Sequence, residues 1–291
     1  MKEWSIIEAL NWTTNYFKEK GIKSSRLEAE VLLSEVLGYS RLKIYLSYDQ
    51  PLSKNELASY HQLVKRRSFY EPIAYIVGRK EFYGYDFKVT PKVLIPRPET
   101  ELLVERIIEK LNSLDEKKCY QIVDIGTGSG SIAVTLAKNL NSYIYAIDIS
   151  EEILNIASEN AQNLKVKEKI CFLKGNLLDP LKELNLKEEI EVIVSNPPYI
   201  PSHEINNLSS EVKDYEPLDS LDGGKDGIDY HLFLIKESLT YLKKGGYLYL
   251  ELGINQAEIL KKICSQYKDW HNLKIIKDYA KIDRILEVQK R

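Results

Sequence analysis

Through the first 70 positions apolar residues recur at helical spacing. Ile7, Leu10, Thr14 and Phe17 lie on one face of a first helix. Ser25 and Glu28 have the spacing of a capping box ahead of the apolar run Leu27 to Leu37, and Gly38 stands where a C-terminal cap belongs. Ser53 and Glu56 repeat the box before a third helix ending near Arg67. The pattern predicts a small helical bundle over residues 1–79.

Past residue 80 the helical period is lost. Glu81 to Val89 is rich in Phe, Tyr and Val around Gly84, Thr90-Pro91-Lys92 has turn composition, and Val93-Leu94-Ile95 reads as a second strand. Residues 80–97 are therefore expected to form a β-hairpin joining two domains. Pro96-Arg97-Pro98 ends it, and Pro98 suits the first position of a helix through Leu111. From Tyr120 strand and helix patterns alternate, with strands expected at 120–125, 143–148, 170–174, 191–195, 246–252, 273–278 and 284–289. Such alternation predicts an α/β, Rossmann-like parallel sheet with helices on both faces over residues 98–291. The last two strands, joined by a short polar link, should add an antiparallel strand at the end. Residues 200–228 are polar, rich in Asp, Ser, Pro and Gly, and without period. A loop that long in a compact domain is usually functional, and it is expected to order over a bound partner.

Charge and composition narrow the function classes. The net charge is −2, so the chain as a whole has no strong pull on nucleic acid. A mildly basic front on an acidic body fits a partner surface, or simply solvated charges. The three cysteines are far apart and form no C-x-x-C pair, and the four histidines share no ligand spacing, so neither a disulfide framework nor a metal site is expected. Met1-Lys2-Glu3-Trp4 lacks the features of a signal peptide, and no apolar run is long enough to span a bilayer. A cytoplasmic monomer is the expectation.

Two motifs carry the chemistry. The first is Asp124-Ile125-Gly126-Thr127-Gly128-Ser129-Gly130, where the first strand of the sheet meets its first helix. Its glycines let the backbone turn tightly and approach a ligand, at the place where doubly wound folds bind nucleotide-like molecules. The spacing is not that of a dinucleotide fingerprint. Asp124 disfavours a pyrophosphate and suits a cation or amino group. Asp148 closes the second strand, where an acid bonds ribose hydroxyls, and Asn176, followed by Leu177, can pair with an adenine edge. The motif resembles the first motif of S-adenosylmethionine-dependent methyltransferases. Its bland alternative is a tight turn with no ligand.

The second motif, Asn196-Pro197-Pro198-Tyr199, follows the fourth strand. The prolines end sheet pairing and stiffen the backbone. The motif suits a planar nitrogen nucleophile whose lone pair is delocalised. The Asn196 side-chain oxygen and the Pro197 carbonyl would accept its two N–H bonds, and Tyr199 would hold the group flat. The bland alternative is a Pro-Pro turn capped by Asn.

Asn-Pro-Pro-Tyr is shared by adenine-N6 DNA methyltransferases and protein-glutamine methyltransferases. The rest of the chain resembles the PrmC/HemK family. The resemblance runs through Glu71-Pro72 to Gly78-Arg79, Phe82, Ile95-Pro96-Arg97-Pro98-Glu99-Thr100-Glu101 and Val194 to Ile200. It continues in Tyr215-Glu216-Pro217, Asp222-Gly223-Gly224 with Asp226-Gly227, and Leu250-Glu251-Leu252-Gly253. It covers essentially the full length, with Asn176 standing where the family often has Asp. It implies a class I methyltransferase sheet that transfers methyl from S-adenosylmethionine to the Gly-Gly-Gln glutamine of peptide chain release factors. It implies that Asn196 to Tyr199 grip that glutamine, that Gly126 to Gly130, Asp148, Asn176, Leu177 and Asn196 surround the cofactor, and that the helical domain docks the release factor. Its Lys65-Arg66-Arg67 run is a candidate contact. The alternatives are a glutamine methyltransferase acting on a ribosomal protein and, less favoured for want of a basic stripe, a DNA adenine enzyme.

Overall fold

The computed structural model describes residues 4–291. The expectations for Met1, Lys2 and Glu3, as the start of the bundle and of the N-terminus, lie outside the described residues. The chain forms two units. One comprises the chain up to Gly78 together with Ser210–Tyr215, and the other Arg79–Ser209 with Glu216–Arg291.

The first unit holds α1 (Ile6–Glu19), α2 (Ser25–Leu37), α3 (Arg41–Leu46), α4 (Lys54–Ser68) and α5 (Ile73–Val77). Ile6, Leu10 and Phe17 of α1 close a core with Leu32, Leu33, Ile44, Tyr60, Val64 and Ile76. The expected box at Ser53 forms, with the Ser53 and Glu56 backbone amides each bonded to the other's side chain at 2.7 and 3.2 Å. The box expected at Ser25 does not. Ser25 lies inside the helix and donates to the Ile22 carbonyl, while Glu28 is drawn into an ion pair with the buried Arg67. A further box, Ser5 with Glu8, starts α1. Arg67 also pairs with Glu211, and the Tyr215 hydroxyl donates to the Phe69 carbonyl at 2.8 Å, which binds Ser210–Tyr215 into this unit. The Lys65-Arg66-Arg67 run is thus largely consumed internally, since Arg66 pairs with Glu71.

The second unit opens with a hairpin, β1 (Arg79–Phe82) and β2 (Tyr85–Lys88). Its turn is at Tyr83-Gly84, both with positive φ, as tight two-residue hairpins demand. The turn expected at residues 90–92 forms, closed by the Val93 amide donating to the Thr90 carbonyl at 3.1 Å, but it is not the hairpin's: both strands precede Thr90, and the strand expected at 93–95 is corrected to irregular chain. Phe82 and Phe87 are buried in the core of this unit, so the hairpin is built into it.

Next come α6 (Pro98–Asp115), β3 (Tyr120–Ile125), α7 (Ser131–Asn139), β4 (Ser142–Asp148), α8 (Glu151–Asn163), β5 (Ile170–Lys174) and β6 (Ile190–Ser195). After a long connection follow α9 (Ser210–Lys213, in the first unit), α10 (Asp229–Tyr241), β7 (Leu242–Glu251), α11 (Ala257–Cys264), β8 (Trp270–Lys277) and β9 (Asp283–Lys290). The sheet order is β5-β4-β3-β6-β7-β9-β8, with the first five strands parallel. Alternate residues of β3 face opposite cores. Ile122 packs with Leu103, Ile107 and Leu136 of α6 and α7, and Val123 packs with Leu234 and Leu260 of α10 and α11. Burial on both faces explains the unbroken apolar runs.

The antiparallel strand does not lie at the sheet's end as expected. β9 is inserted between β7 and β8, antiparallel to both. Ile285 to Val288 are buried in succession, which suits an interior strand, while β8 alternates between exposed and covered positions, as an edge can. The 200–228 segment also differs from an unstructured loop. Ser202–Asn207 and Leu218–Ser220 form 3-10 turns, and Ile200 bridges to Asp222 in parallel register.

Candidate active site

Register places the two motifs side by side. Ile125 of β3 lies opposite Ser195 of β6, so Gly126 and Asn196 are the first residues beyond two adjacent strand ends. The Ser195 hydroxyl donates to the Ile125 carbonyl at 2.7 Å and locks that register. On the other side of β3, Ile125 faces Ile147, and Asp148 follows at the end of β4. Asp148 in turn faces Lys174, which leads into Gly175 and Asn176. The strand order reverses direction about β3, and the crevice at such a switch point is where open α/β sheets bind ligands.

A cavity of ≈ 450 Å³ occupies this crevice. Of the candidate site residues, Gly126, Gly128, Asp148, Asn176, Leu177, Asn196, Pro197 and Pro198 line it together. Asp124, Thr127, Ser129, Gly130 and Tyr199 are not among its lining residues. Asp124 is fully buried beneath the glycine loop, where its carboxylate accepts from the Thr127 hydroxyl at 2.7 Å and the Ala133 amide at 3.2 Å. Burial pushes its carboxyl up to about 7. Its observed partners make it a brace for the loop. Gly130 packs against Ala157, where an added Cβ would come within 3.1 Å of the alanine methyl.

Asp148 keeps its carboxylate at the cavity. One oxygen accepts from the Gly128 amide at 3.1 Å and the other from the Ser150 amide at 3.4 Å. Burial raises its pKa, and the amides of Gly128 and Ser150 oppose the rise. A hydroxyl-bearing ligand would give this costly carboxylate further donors. Val93, Leu94, Ile149 and Ile153 supply apolar walls. The volume, the apolar lining and the carboxylate fit a nucleoside-bearing ligand such as S-adenosylmethionine. Val93 and Leu94 were read from sequence as a strand. Pro217, Asp219, Ser220 and Tyr230 also reach the cavity; Pro217 stands in a motif that carries the family resemblance, Asp219 and Ser220 lie in the unperiodic, polar stretch 200–228, and no sequence signal marks Tyr230.

The Asn196 amide is held at one end. Its Nδ2 donates to the Thr100 hydroxyl at 3.1 Å, and that hydroxyl donates to a Glu251 carboxylate oxygen at 2.6 Å. The other Glu251 oxygen accepts from the Tyr199 hydroxyl at 3.4 Å. Among the described residues no protein donor is hydrogen-bonded to Asn196 Oδ1 or to the Pro197 carbonyl. Glu251 is 1% exposed, and its burial pushes the carboxyl up to about 7. The chain after Asn196 is clamped from behind. Gln256 Nε2 donates to the Tyr199 and Gly227 carbonyls at 2.9 and 2.8 Å, and its oxygen accepts from the Gly253 amide at 2.8 Å. Gly223 and Gly227 make this approach feasible: a Cβ at Gly223 would meet the Pro198 carbonyl oxygen at 2.8 Å, and one at Gly227 would collide with that of Tyr199. Arg97 reaches the same region and pairs with Glu216.

Residues 8–78 match the PrmC N-terminal domain and residues 116–289 match a methyltransferase domain. A release factor glutamine methyltransferase of Geobacter sulfurreducens is 42% identical over 256 residues, covering 88% of this chain and 86% of its own length. The chain belongs to the release factor glutamine methyltransferase family. Another family member, from Rhodopirellula baltica, is 38% identical over 289 residues, with 99% of this chain and 97% of the relative covered. A methyltransferase from Pyrococcus furiosus superposes with a TM-score of 0.51 at 21% identity, covering 80% of this chain and 98% of that one. That likeness supports the class I methyltransferase fold. The family's two parts correspond to the helical unit and to the sheet that carries the crevice. Among the described residues no helix is long and apolar enough to cross a membrane, and no cluster of side chains has the makings of a metal site.

Proposed function

We infer that this protein methylates the side-chain amide nitrogen of the glutamine in the Gly-Gly-Gln motif of peptide chain release factors, using S-adenosylmethionine. The observation that carries the reading is the polarity of Asn196. With Nδ2 committed to Thr100, the amide's remaining polar end is the acceptor Oδ1, on a residue that lines the cavity.

Asp148, Gly126, Gly128, Asn176 and Leu177 would hold the cofactor, with Asp148 on the ribose hydroxyls and Asn176 on the adenine edge. When bound, S-adenosylmethionine supplies an electrophilic methyl group on a sulfonium sulfur. Asn196 Oδ1 and the Pro197 carbonyl accept the two N–H groups of the incoming carboxamide. They fix its plane and oppose the positive charge that grows on nitrogen as it is alkylated. Tyr199 keeps the plane from tilting. A carboxamide nitrogen is a weak nucleophile because its lone pair is delocalised, so the residues contribute chiefly orientation and oriented dipoles. The amide proton becomes acidic only as alkylation proceeds, which removes the need for a strong base.

The helical unit docks the body of the release factor, and the enzyme works in the cytoplasm where translation terminates. The match of residues 8–78 to the PrmC N-terminal domain favours a release factor over a ribosomal protein. The test is incubation with methyl-labelled S-adenosylmethionine and purified release factor, beside adenine-containing DNA and ribosomal protein. Label in the release factor alone is expected. Label in DNA or ribosomal protein, with none in the release factor, would overturn the reading.

A further inference from the structure

The Asn196 amide could face the crevice with either end, and only one end can grip a carboxamide NH₂. We propose that Glu251 is a positioning residue that sets this polarity through Thr100, so that Asn196 presents its oxygen to the acceptor. The inference rests on Asn196 as the acceptor grip and extends it to two residues outside the Asn-Pro-Pro-Tyr motif.

An ionised carboxylate can only accept. The single hydroxyl proton of Thr100 is therefore spent on Glu251, at 2.6 Å. Thr100 Oγ1 is left with lone pairs alone for Asn196, so the group facing it at 3.1 Å has to be the NH₂ end. When Glu251 is protonated it can donate to Thr100. The Thr100 proton is then released to donate to Asn196, which permits the amide to turn over and show its NH₂ to the crevice. An NH₂ facing the NH₂ of the acceptor cannot bond it. Glu251 also accepts from Tyr199, so one carboxylate anchors both ends of the motif.

The surroundings keep the carboxyl poised. Burial raises its pKa to about 7, and Glu99 adds to the rise, while the Thr100 and Tyr199 hydroxyls and Arg284 work against it. His231, whose own pKa burial lowers to about 4, donates from Nε2 to the Glu251 main-chain carbonyl at 2.8 Å and so fixes the backbone there. Thr100 is 3% exposed in the first turn of α6, and valine matches its shape without the hydroxyl.

The experiment compares wild type with Thr100→Val, Thr100→Ser and Asn196→Ala, measuring kcat between about pH 6 and about pH 9 and cofactor affinity by titration. Wild-type kcat should rise with pH along a single limb near neutrality. Thr100→Val should lower kcat by about tenfold at high pH, the worth of one hydrogen bond, and abolish that limb while cofactor affinity holds. Thr100→Ser, which keeps the hydroxyl, should restore both rate and limb. A folded Thr100→Val variant with wild-type kcat and an unchanged limb, beside an inactive Asn196→Ala, would overturn the relay and leave the grip standing. An active Asn196→Ala would remove the grip itself.

Discussion

Asp148→Asn isolates the charge at the cofactor end of the crevice. The substitution is isosteric, so the cavity walls are retained. The wild-type carboxylate is 7% exposed and accepts from the amides of Gly128 and Ser150. A carboxamide can accept with only one end. If its oxygen stays on Gly128, at the shorter 3.1 Å contact, its NH₂ confronts the Ser150 amide. Hydrogen bonds to a charged acceptor contribute about 1 kcal/mol more than those to a neutral one. With two ribose hydroxyls at stake, the loss is about 2 kcal/mol, or roughly thirtyfold in Kd. Isothermal titration with S-adenosylmethionine and with S-adenosylhomocysteine measures it directly. Both ligands should weaken equally, because the ribose is common to them. A thermal scan without ligand checks that the glycine loop survives. An affinity unchanged within error, in a variant of wild-type stability, would refute the assignment of Asp148 to the ribose.

Three further expectations follow from the packing. Gly227→Ala places a methyl against the Tyr199 carbonyl at a position with φ of +73°, so it should lower kcat severalfold or more with little effect on cofactor Kd, as steady-state kinetics would reveal. Arg67→Ala strips Glu28 of its cation and leaves Ser210–Tyr215 tied to the helical unit by the Tyr215–Phe69 bond without Glu211's ion pair; a loss of about 3 kcal/mol is expected on removing one partner of a buried pair, together with faster proteolysis near residues 210–215. Glu251→Gln removes a carboxyl that binds its proton more tightly folded than unfolded, with a pKa of about 7 against the usual 4.5. In wild type that contribution to stability is full below about pH 4.5 and is lost as pH rises through about 7. Denaturation at about pH 5 and about pH 8 should therefore show the variant gaining on wild type at the higher pH.

Much of this molecule is legible from local pattern. The buried strands announce themselves because both faces of β3 and β6 are covered, leaving apolar runs that end abruptly in the glycine loop and in Asn196. Parallel pairing then brings those ends together, so the crevice could be anticipated from topology. What eluded the sequence depends on distant partners. Ser25 and Glu28 have the spacing of a cap, but Arg67 takes Glu28 away from it. The insertion of β9 between β7 and β8 is decided by burial of Ile285 to Val288 against two cores, which no local period encodes. The hairpin turn was misplaced because Pro91 is a stronger turn signal than Tyr83, a bulky residue that rarely takes the left-handed conformation it has here. Thr100 and Glu251 stand in motifs that the family resemblance singled out. Their connection to Asn196 became visible only once α6 and β7 were placed beside the end of β6.

On the proposed reading, a flat amide is pinned by oxygens at the end of β6 beside a methyl donor held at the ends of β3 and β4. Tandem mass spectrometry of release factor, after incubation with S-adenosylmethionine and either wild type or Asn196→Ala, tests it most directly. One added methyl on the glutamine side-chain nitrogen is expected with wild type and almost none with the variant. A methyl at another residue, or equal methylation by the variant, would contradict it.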